Sequence, residues 1–412
     1  MMQGFDFQTL GALLFVASLV AMAARRFDFP YSVGLVAAGI AMAVLAPGTT
    51  PSLTPGLIYY IFLPPLVFEA AIQIPWKPFR RELPLLLALV TFGVAIAAIV
   101  VAGGMHWLLG WSWIGAAMFG VLISATDPVA VIAAFKAMKV QPRLHLLVEA
   151  ESLLNDGVAA VGFAVLLAIA VDGGAMGGGG IVLDLVKTVV GGVIAGAVVA
   201  FPLIAIAGRA TDRLVEITLT MLIAYGSFLL AEHFHASGVL ATVTAGLIVG
   251  NYGFLGAISD DGRSGVLHHW EFVAFLVNSL IFILIGGREA EMPFFDVLEA
   301  AVIATALVLA GRAAAVYPVM ASFAKTRLAV PWKYKHVLFW GGLRGALALA
   351  LALNVPVTVP ERDTIIVVSF AVVAFSIFVQ GLTMPWLTRK MGLQQEPGDD
   401  EADAALAADR SP

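Results

Sequence analysis

The sequence predicts an all-α membrane protein whose chain crosses the bilayer many times. Of its 412 residues, 60% are hydrophobic and only 12% are charged, and the mean hydropathy is +0.96. Soluble domains carry about 25% charged residues, so this chain does not belong among them. A membrane-spanning helix needs about 20 apolar residues, and stretches of this length recur along almost the whole sequence. The predicted fold class is therefore a polytopic bundle of transmembrane helices.

Proline, glycine and charge clusters divide the apolar sequence into thirteen candidate spans. They lie near residues 7–24, 31–46, 55–74, 83–107, 112–136, 144–171, 181–207, 214–234, 237–253, 270–287, 295–323, 334–354 and 364–388. Arg25 and Arg26 follow the first span in place of a cleavage site, so we expect a retained helix and not a signal peptide. We expect the Gly-rich segment 172–180 to be an external linker and the acidic segment 392–412 to be a short disordered cytoplasmic tail.

The positive charges of the loops predict the orientation of the chain. Loops after odd-numbered spans carry seventeen Lys and Arg residues, whereas those after even-numbered spans carry three: Lys187, Arg288 and Arg362. Because cytoplasmic loops are enriched in positive charge, we expect the N-terminus outside and the C-terminus in the cytoplasm. The basic residues form no stripe, so the sequence indicates no nucleic-acid partner. The absence of cysteine excludes thiolate catalysis and Cys-ligated metals.

Three ionisable residues are predicted at one depth inside the membrane. Asp127 in the fifth span and Asp156 in the sixth lie about 14 Å and 18 Å from the cytoplasmic ends of their helices. Arg344 in the twelfth span lies about 15 Å deep. A charge near the bilayer centre costs roughly 2.5 to 3.5 kcal/mol, so a functional site is the leading hypothesis.

The sixth span carries more polar residues than a structural helix needs. Its polar residues are spaced i, i+1, i+4 and i+5, which places them on one stripe of the helix: Glu151, Ser152, Asn155 and Asp156. Such a stripe turns away from lipid, because each polar group needs a partner or water. The alternative is a polar seam between helices, but a seam normally uses amides and hydroxyls and not ionisable groups.

The motif Thr126-Asp127-Pro128 predicts an interrupted helix. Proline lacks an N–H and clashes with the carbonyl four residues earlier. Freed carbonyls, such as that of Thr126, are able to ligate a cation beside a watery cavity. Alternatively, Thr126 or Asp127 caps a half-helix that begins at Pro128. Both interpretations are compatible, since a capped half-helix is typical of transporter binding sites.

A second interruption is predicted in the twelfth span, at Gly341, Gly342 and Gly345. If residues 1–171 and 214–391 are two six-span repeats joined by the linker helix 181–207, the two interrupted spans correspond. An odd number of spans separates them, so the repeats are inverted. Paired interruptions in inverted repeats indicate a midplane site between the repeats.

These features favour transport over catalysis. A carboxylate in a partly desolvated cavity binds protons more readily and also coordinates hard cations, so a proton and a cation would compete for one site. An intramembrane aspartyl protease also uses two aspartates, but the glycine expected before one of them is missing. A cation channel is a further alternative, which predicts currents and flux that does not saturate.

Four motifs, in this order, resemble the NhaP-type branch of the monovalent cation/proton antiporters: Ser-Ala-Thr-Asp-Pro-Val-Ala, Glu-Ser-Leu-Leu-Asn-Asp-Gly, Gly-Gly-Leu-Arg-Gly-Ala and Phe-Val-Gln-Gly-Leu-Thr. The similarity covers residues 1–391. It implies a plasma-membrane protein of thirteen helices in inverted repeats, with a core domain that moves against a dimerising domain. It also implies exchange of Na⁺ or Li⁺ for H⁺, with no resident cofactor and no nucleotide.

The resemblance assigns the cation site to four residues. Asp156 would be the main cation- and proton-binding carboxylate, and Asp127, Ser152 and the Thr126 carbonyl would complete or support the Na⁺ site. Glu69, in the third span, aligns with a glutamate that reaches the site in NhaP-type members. Its alternative role is a carboxylate that extends to the membrane surface near the inner end of its helix.

Three further residues would organise that site. The resemblance implies that Arg344 pairs with Glu151 and holds Asn155. An electrogenic relative carries aspartate at the position of Asn155, so the neutral side chain implies one proton per cation and no net charge movement. Potassium/proton exchange on the same fold stays open, because a sequence does not fix ligand distances.

Four other polar residues lie within the predicted spans, and two of them, Asn278 and Gln380, reach a similar depth. We expect Glu149 to be a funnel or interfacial residue and Arg312 to be buried and structural. Asn278 and Gln380 would satisfy the backbone of the interrupted helices.

Overall fold

The structure is a computed structural model that describes residues 7–27, 29–46, 51, 53–172, 178–209, 212–253, 256 and 258–394. Within these ranges the chain is helical, and the β-structure consists of one isolated bridge between Val140 and Gln394. Most of the predicted external linker, residues 173–177, and the predicted tail from 395 onward lie outside the described residues.

The α-helices of the described residues follow one another with short connections. They are α1 (Phe7–Phe27), α2 (Tyr31–Leu45), α3 (Leu63–Gln73), α4 (Trp76–Ala88), α5 (Val94–Leu109), α6 (Trp113–Leu122), α7 (Val129–Met138), α8 (Pro142–Asp172), α9 (Gly178–Ala207), α10 (Arg213–His233), α11 (Gly238–Asn251), α12 (Asp260–Glu289), α13 (Leu298–Ser322), α14 (Trp332–Trp340), α15 (Ala346–Leu353), α16 (Arg362–Phe375) and α17 (Leu382–Lys390). Three π-helical segments, Leu57–Phe62, Leu89–Gly93 and Ser376–Gly381, lead directly into α3, α5 and α17.

Each predicted span coincides with one helix or with consecutive helical segments. Eight helical segments of the described residues are long and apolar enough to cross a membrane, and four apolar helices of 10–17 residues accompany them. The predicted class, an all-α polytopic membrane protein, is confirmed. The number of crossings and the inverted repeats stay predictions.

Both predicted helix interruptions are present. The fifth span divides into α6 and α7, with residues 123–128 between them, and the twelfth divides into α14 and α15 around residues 341–345. The backbone N–H of Asp127 donates to the carbonyl of Leu343 at 2.8 Å. The two interruptions therefore contact each other, as a site between crossing half-helices requires.

Close helix packing holds the interrupted helices in place. Buried apolar side chains form one large cluster around α4 to α8 and α13 to α17, and a second one joins α2, α12, α15 and α16. Helices α2 and α12 approach until their backbones touch, because a Cβ on Gly39 would lie 2.1 Å from the carbonyl of Ile283. Small residues allow this approach where lipid supplies no hydrophobic driving force.

Candidate functional site

A cavity of about 330 Å³ joins the two interruptions to α8. Asp127, Thr126, Ser152, Asp156 and Gly345 line it together. The sequence placed the two carboxylates at one depth on antiparallel helices, and the structure brings them into one cavity. Intramembrane charges usually face the bundle interior or a cavity of this kind and not lipid.

The backbone of the first interruption is held by side chains from α8 and from the second interruption. The carbonyl of Ser124 accepts hydrogen bonds from Asn155 Nδ2 and Arg344 Nη1, both at 2.8 Å. Arg344 Nη1 also donates to the carbonyl of Ala125 at 3.2 Å. The C-terminal end of a helix carries partial negative charge, so the guanidinium of Arg344 neutralises the open end of α6.

Ser152 fixes the last carbonyl before Asp127. Its Oγ donates to the carbonyl of Thr126 at 2.5 Å, and Thr126 Oγ1 donates to Ser152 Oγ at 3.1 Å. Asn155 Nδ2 reaches Thr126 Oγ1 at 3.2 Å. The hydroxyl and the carbonyl that the resemblance assigns to cation binding are thus neighbours, on the wall of the cavity.

The second interruption is satisfied in the same way. Arg312 Nη2 donates to the carbonyl of Leu338 at 2.9 Å, and Gln380 Nε2 donates to the carbonyl of Trp340 at 2.9 Å. Unpaired carbonyls at a helix end cost free energy in a membrane. An arginine therefore stands at the C-terminal end of each upstream half-helix, Arg344 for α6 and Arg312 for α14.

The predicted ion pair between Arg344 and Glu151 is wrong. Glu151 pairs with Arg312 through two hydrogen bonds, of 2.5 Å and 2.7 Å, and no ion pair of the described residues joins it to Arg344. Arg344 is occupied by the carbonyls of the first interruption, whereas α13 brings Arg312 beside α8. Arg312 was expected to be buried and structural, which its 8% exposure confirms. As the only basic residue of its span, deep in apolar sequence, Arg312 was itself the signal for the pairing.

Asp127 caps the half-helix that follows it. Its Oδ1 accepts a hydrogen bond from the backbone N–H of Val129 at 3.0 Å, and α7 begins at Val129, one residue after the predicted start. A Cβ built on Gly345 would lie 2.1 Å from Asp127 Oδ2. Glycine at 345 is therefore what lets this carboxylate lie against the second interruption.

Asp156 carries an oxygen without a partner. Its Oδ1 is buried, and no hydrogen bond from a described residue reaches it. A buried carboxylate oxygen in this condition is costly unless a proton or a cation satisfies it. The neighbouring Asn155 Oδ1 is also unpaired among the described residues.

Charged residues mark the mouth of the cavity. Lys136 and Glu271 line it and are exposed, while Glu69 and Glu149 line it and are half-buried. Gln73 donates a hydrogen bond to Glu69 Oε1. The expected funnel position of Glu149 agrees with this geometry, and a ligand role for Glu69 stays a prediction.

The expected backbone contacts of Asn278 and Gln380 have different outcomes. Gln380 binds the broken backbone of α14. Asn278 lines the cavity, but none of its hydrogen bonds within the described residues reaches either interruption.

The donor set of the cavity consists of carboxylate, hydroxyl and carbonyl oxygens. Such ligands suit hard cations and not soft transition metals. Within the described part of the chain, no three His, Asp or Glu residues come together as a metal-ion cluster. The arrangement is able to bind a hard cation or a proton, each of which satisfies the unpaired oxygen.

Comparisons with known proteins agree with this architecture. Residues 11–390 match the family model described as "Sodium/hydrogen exchanger, transmembrane". The chain is 36% identical to the Na⁺/H⁺ antiporter NhaS2 of Synechocystis sp. over 94% of its own length and 71% of that protein. It is also 36% identical to the Na⁺/H⁺ antiporter ApNhaP of Aphanothece halophytica, over 98% of this chain and 77% of that one.

A solved structure shows the same fold. The sodium proton antiporter MjNhaP1 from Methanocaldococcus jannaschii superposes with a TM-score of 0.76 at 20% sequence identity, covering 93% of this chain and 97% of that one. The family consists of transporters and not of enzymes, which removes the protease alternative. The interrupted helices, the carboxylate-lined cavity and these matches together place the chain in the sodium/hydrogen exchanger family.

Proposed function

We propose that this protein exchanges Na⁺ for H⁺ across the plasma membrane by alternating access to one site. The observation that carries the proposal is the buried, unpaired Oδ1 of Asp156 in a cavity shared with Asp127. A site that needs either a proton or a cation for electrostatic balance holds them alternately. The relatives are named as sodium/proton antiporters, which supports sodium and gives the potassium alternative no support.

The cation site would consist of oxygen atoms from residues that line the cavity. Asp156 and Asp127 supply carboxylates, Ser152 supplies Oγ and Thr126 supplies its carbonyl. Ser152 Oγ donates to that carbonyl, which keeps both oxygens in place. Glu69 would contribute to the approach of the ion, because it lines the same cavity nearer the mouth.

Proton competition determines the pH dependence. As pH falls, protons occupy Asp156, and the apparent KM for Na⁺ rises. Saturating Na⁺ restores the carboxylate, so the maximal rate changes less than the KM. With Asn155 neutral, the cycle exchanges one proton for one cation and moves no net charge, so the rate is independent of membrane potential.

The cavity mouth indicates the state of the transporter. Lys136, at the mouth, follows an odd-numbered span, which the positive-inside rule assigns to the cytoplasm. The structure would therefore represent the inward-facing state of the transporter, with the N-terminus outside. Within residues 1–391, the repeats 1–171 and 214–391 would be joined by the helix 181–207, and a homodimer would anchor the moving core.

Purified protein in proteoliposomes tests the proposal. A Na⁺ jump should drive proton flux reported by a pH dye, and Asp156→Asn should abolish it while the variant still purifies as folded protein. Asp363→Asn is the matched control, since that side chain is 92% exposed and should leave the rate unchanged. Exchange at the wild-type rate in Asp156→Asn would refute the central role of this carboxylate.

The same vesicles test ion choice and stoichiometry. Parallel jumps of Na⁺, Li⁺ and K⁺ should give flux with the first two and little with the third. Clamping the potential with valinomycin and K⁺ should leave the Na⁺-driven rate unchanged. Flux that scales with potential would contradict electroneutral exchange, and flux with none of the three ions would contradict the class.

A further inference from the structure

A second cavity, of about 340 Å³, lies between α14 and α17, apart from the carboxylate site. We call it the α14–α17 cavity. Its wall is mostly aromatic and aliphatic, and it is formed by His336, Phe339, Trp340, Thr383, Trp386, Leu387 and Met391. Trp386 is 58% exposed, so the cavity opens on the outer face of the helix bundle. In a membrane that face meets lipid, and tryptophan is enriched where the hydrocarbon ends.

Two lysines extend the lining surfaces of these helices toward their ends. Lys335 precedes Phe339 by four residues on α14, and Lys390 follows Trp386 by four residues on α17, so each shares a helix face with a lining aromatic residue. Lys390 Nζ lies 4.6 Å from the centroid of the Trp386 ring. No acidic side chain of the described residues lines the cavity. The cavity is therefore apolar within, and the helix faces that form its wall continue to Lys335 and Lys390, which we call its lysine rim.

The lysine rim lies at the cytoplasmic end of both helices in the orientation that the loop charges predict. The cytoplasmic leaflet carries the anionic lipids, and a basic residue near that surface attracts them. We propose that the α14–α17 cavity binds an anionic phospholipid of this leaflet, with an acyl chain against the aromatic wall and the phosphate at Lys335 and Lys390.

The inner end of the cavity contacts the second helix interruption. Trp340 is the last residue of α14, and its indole Nε1 donates to Thr383 Oγ1 at 2.8 Å. Its carbonyl accepts the bond from Gln380. An acyl chain packed on Trp340 would therefore restrain the half-helix that leads to Gly345 and to the Asp127 carboxylate. The bound lipid would thus act on exchange without touching the ion.

Lipid retention by the full chain tests the proposal independently of transport. Wild-type protein is exchanged into mixed micelles with equal phosphatidylcholine and phosphatidylglycerol, and the retained lipids are counted by native mass spectrometry. We expect preferential retention of phosphatidylglycerol. In the variant Lys335→Gln/Lys390→Gln, the ratio of retained phosphatidylglycerol to phosphatidylcholine should fall about fivefold for each lysine removed. Lys77→Gln/Arg81→Gln removes two exposed charges from the same predicted face, away from the cavity, and should retain it.

A second variant tests the acyl-chain position. Leu387→Trp fills the cavity and leaves the rim charges intact, so it should lower retention of both lipids. Equal retention of the two lipids by the wild type, or wild-type preference in the double lysine variant, would overturn the proposal. A further result would also overturn the proposal: a preference for phosphatidylglycerol that appears only when Asp399, Asp400 and Glu401 are neutralised. In that case the acidic segment of the chain, and not a lipid, would be the partner of the two lysines.

Discussion

The partner of Glu151 provides a quantitative test of how the interrupted helices are held. Glu151 is 4% exposed and Arg312 is 8% exposed, and two short hydrogen bonds join them. Removing one partner of a buried pair leaves an uncompensated charge and costs about 3 to 5 kcal/mol. Arg312→Gln should reach this range, because it also removes the donor to the carbonyl of Leu338.

A double-mutant cycle separates Arg312 from Arg344. Glu151→Gln combined with Arg312→Gln removes both charges, so the pair should show a coupling energy of about 2 to 3 kcal/mol. Glu151→Gln combined with Arg344→Gln should show a markedly smaller coupling, since Arg344 donates to backbone carbonyls. Arg344→Gln by itself should still destabilise the protein through the open end of α6.

The free energy of unfolding can be measured by titration with SDS in mixed micelles. Helix content and tryptophan fluorescence must report the same single transition for the cycle to be valid. If Glu151 couples to Arg344 as strongly as to Arg312, the assignment of the ion pair is wrong. A cycle in which neither arginine couples would show that the hydrogen-bonded pair contributes no net stability.

Two further substitutions probe the interruptions themselves. Gly345→Ala places a methyl group against Asp127 Oδ2, so the apparent KM for Na⁺ in proteoliposomes should rise by roughly tenfold or more. Gly11→Ala is the control, because its methyl group meets nothing within 4 Å, and it should leave the flux unchanged. Wild-type KM in Gly345→Ala would show that Asp127 takes no part in binding. Gln380→Leu removes the donor to the carbonyl of Trp340 and should cost about 1 to 3 kcal/mol in SDS titration; an unchanged midpoint would mean that another group replaces it.

The sequence was most informative where a residue type restricts the backbone. Pro128 disfavours a continuous helix through the fifth span, and the glycines near 345 weaken the twelfth, so both interruptions could be predicted. The stripe on the sixth span also follows from helical periodicity, because its polar residues must avoid lipid. The π-helical segment Leu89–Gly93 was not predictable, since its sequence contains no proline or charged residue that would mark a change of helix type.

Side-chain pairing was the least predictable feature of the site. The depth estimate placed Arg344 at the level of the carboxylates, but a second arginine, Arg312, reaches the same region from another helix. The positions of the two arginines in the sequence do not show which one forms the ion pair with Glu151. The choice depends on which helices pack together and on which carbonyls lack donors, and both are properties of the assembled bundle.

Asn155 tests whether stoichiometry depends on one residue or on its surroundings. This amide is 1% exposed, and its Nδ2 donates to the carbonyl of Ser124 at 2.8 Å and to Thr126 Oγ1 at 3.2 Å. Aspartate at this position has no N–H, so a carboxylate oxygen would face the Ser124 carbonyl and repel it. Arg344, which shares that carbonyl, would have to turn toward the new charge, or the new carboxyl would have to keep a proton.

We therefore expect Asn155→Asp to lose about 1 to 3 kcal/mol of stability and most of its exchange, without becoming electrogenic. The measurement is Na⁺-driven proton flux with and without a valinomycin clamp, beside SDS titration of the same preparation. Flux at the wild-type rate that now follows membrane potential would contradict this expectation. That result would mean that an added carboxylate is sufficient for charge movement. A lost rate would mean that an electrogenic site also needs different donors around the first interruption.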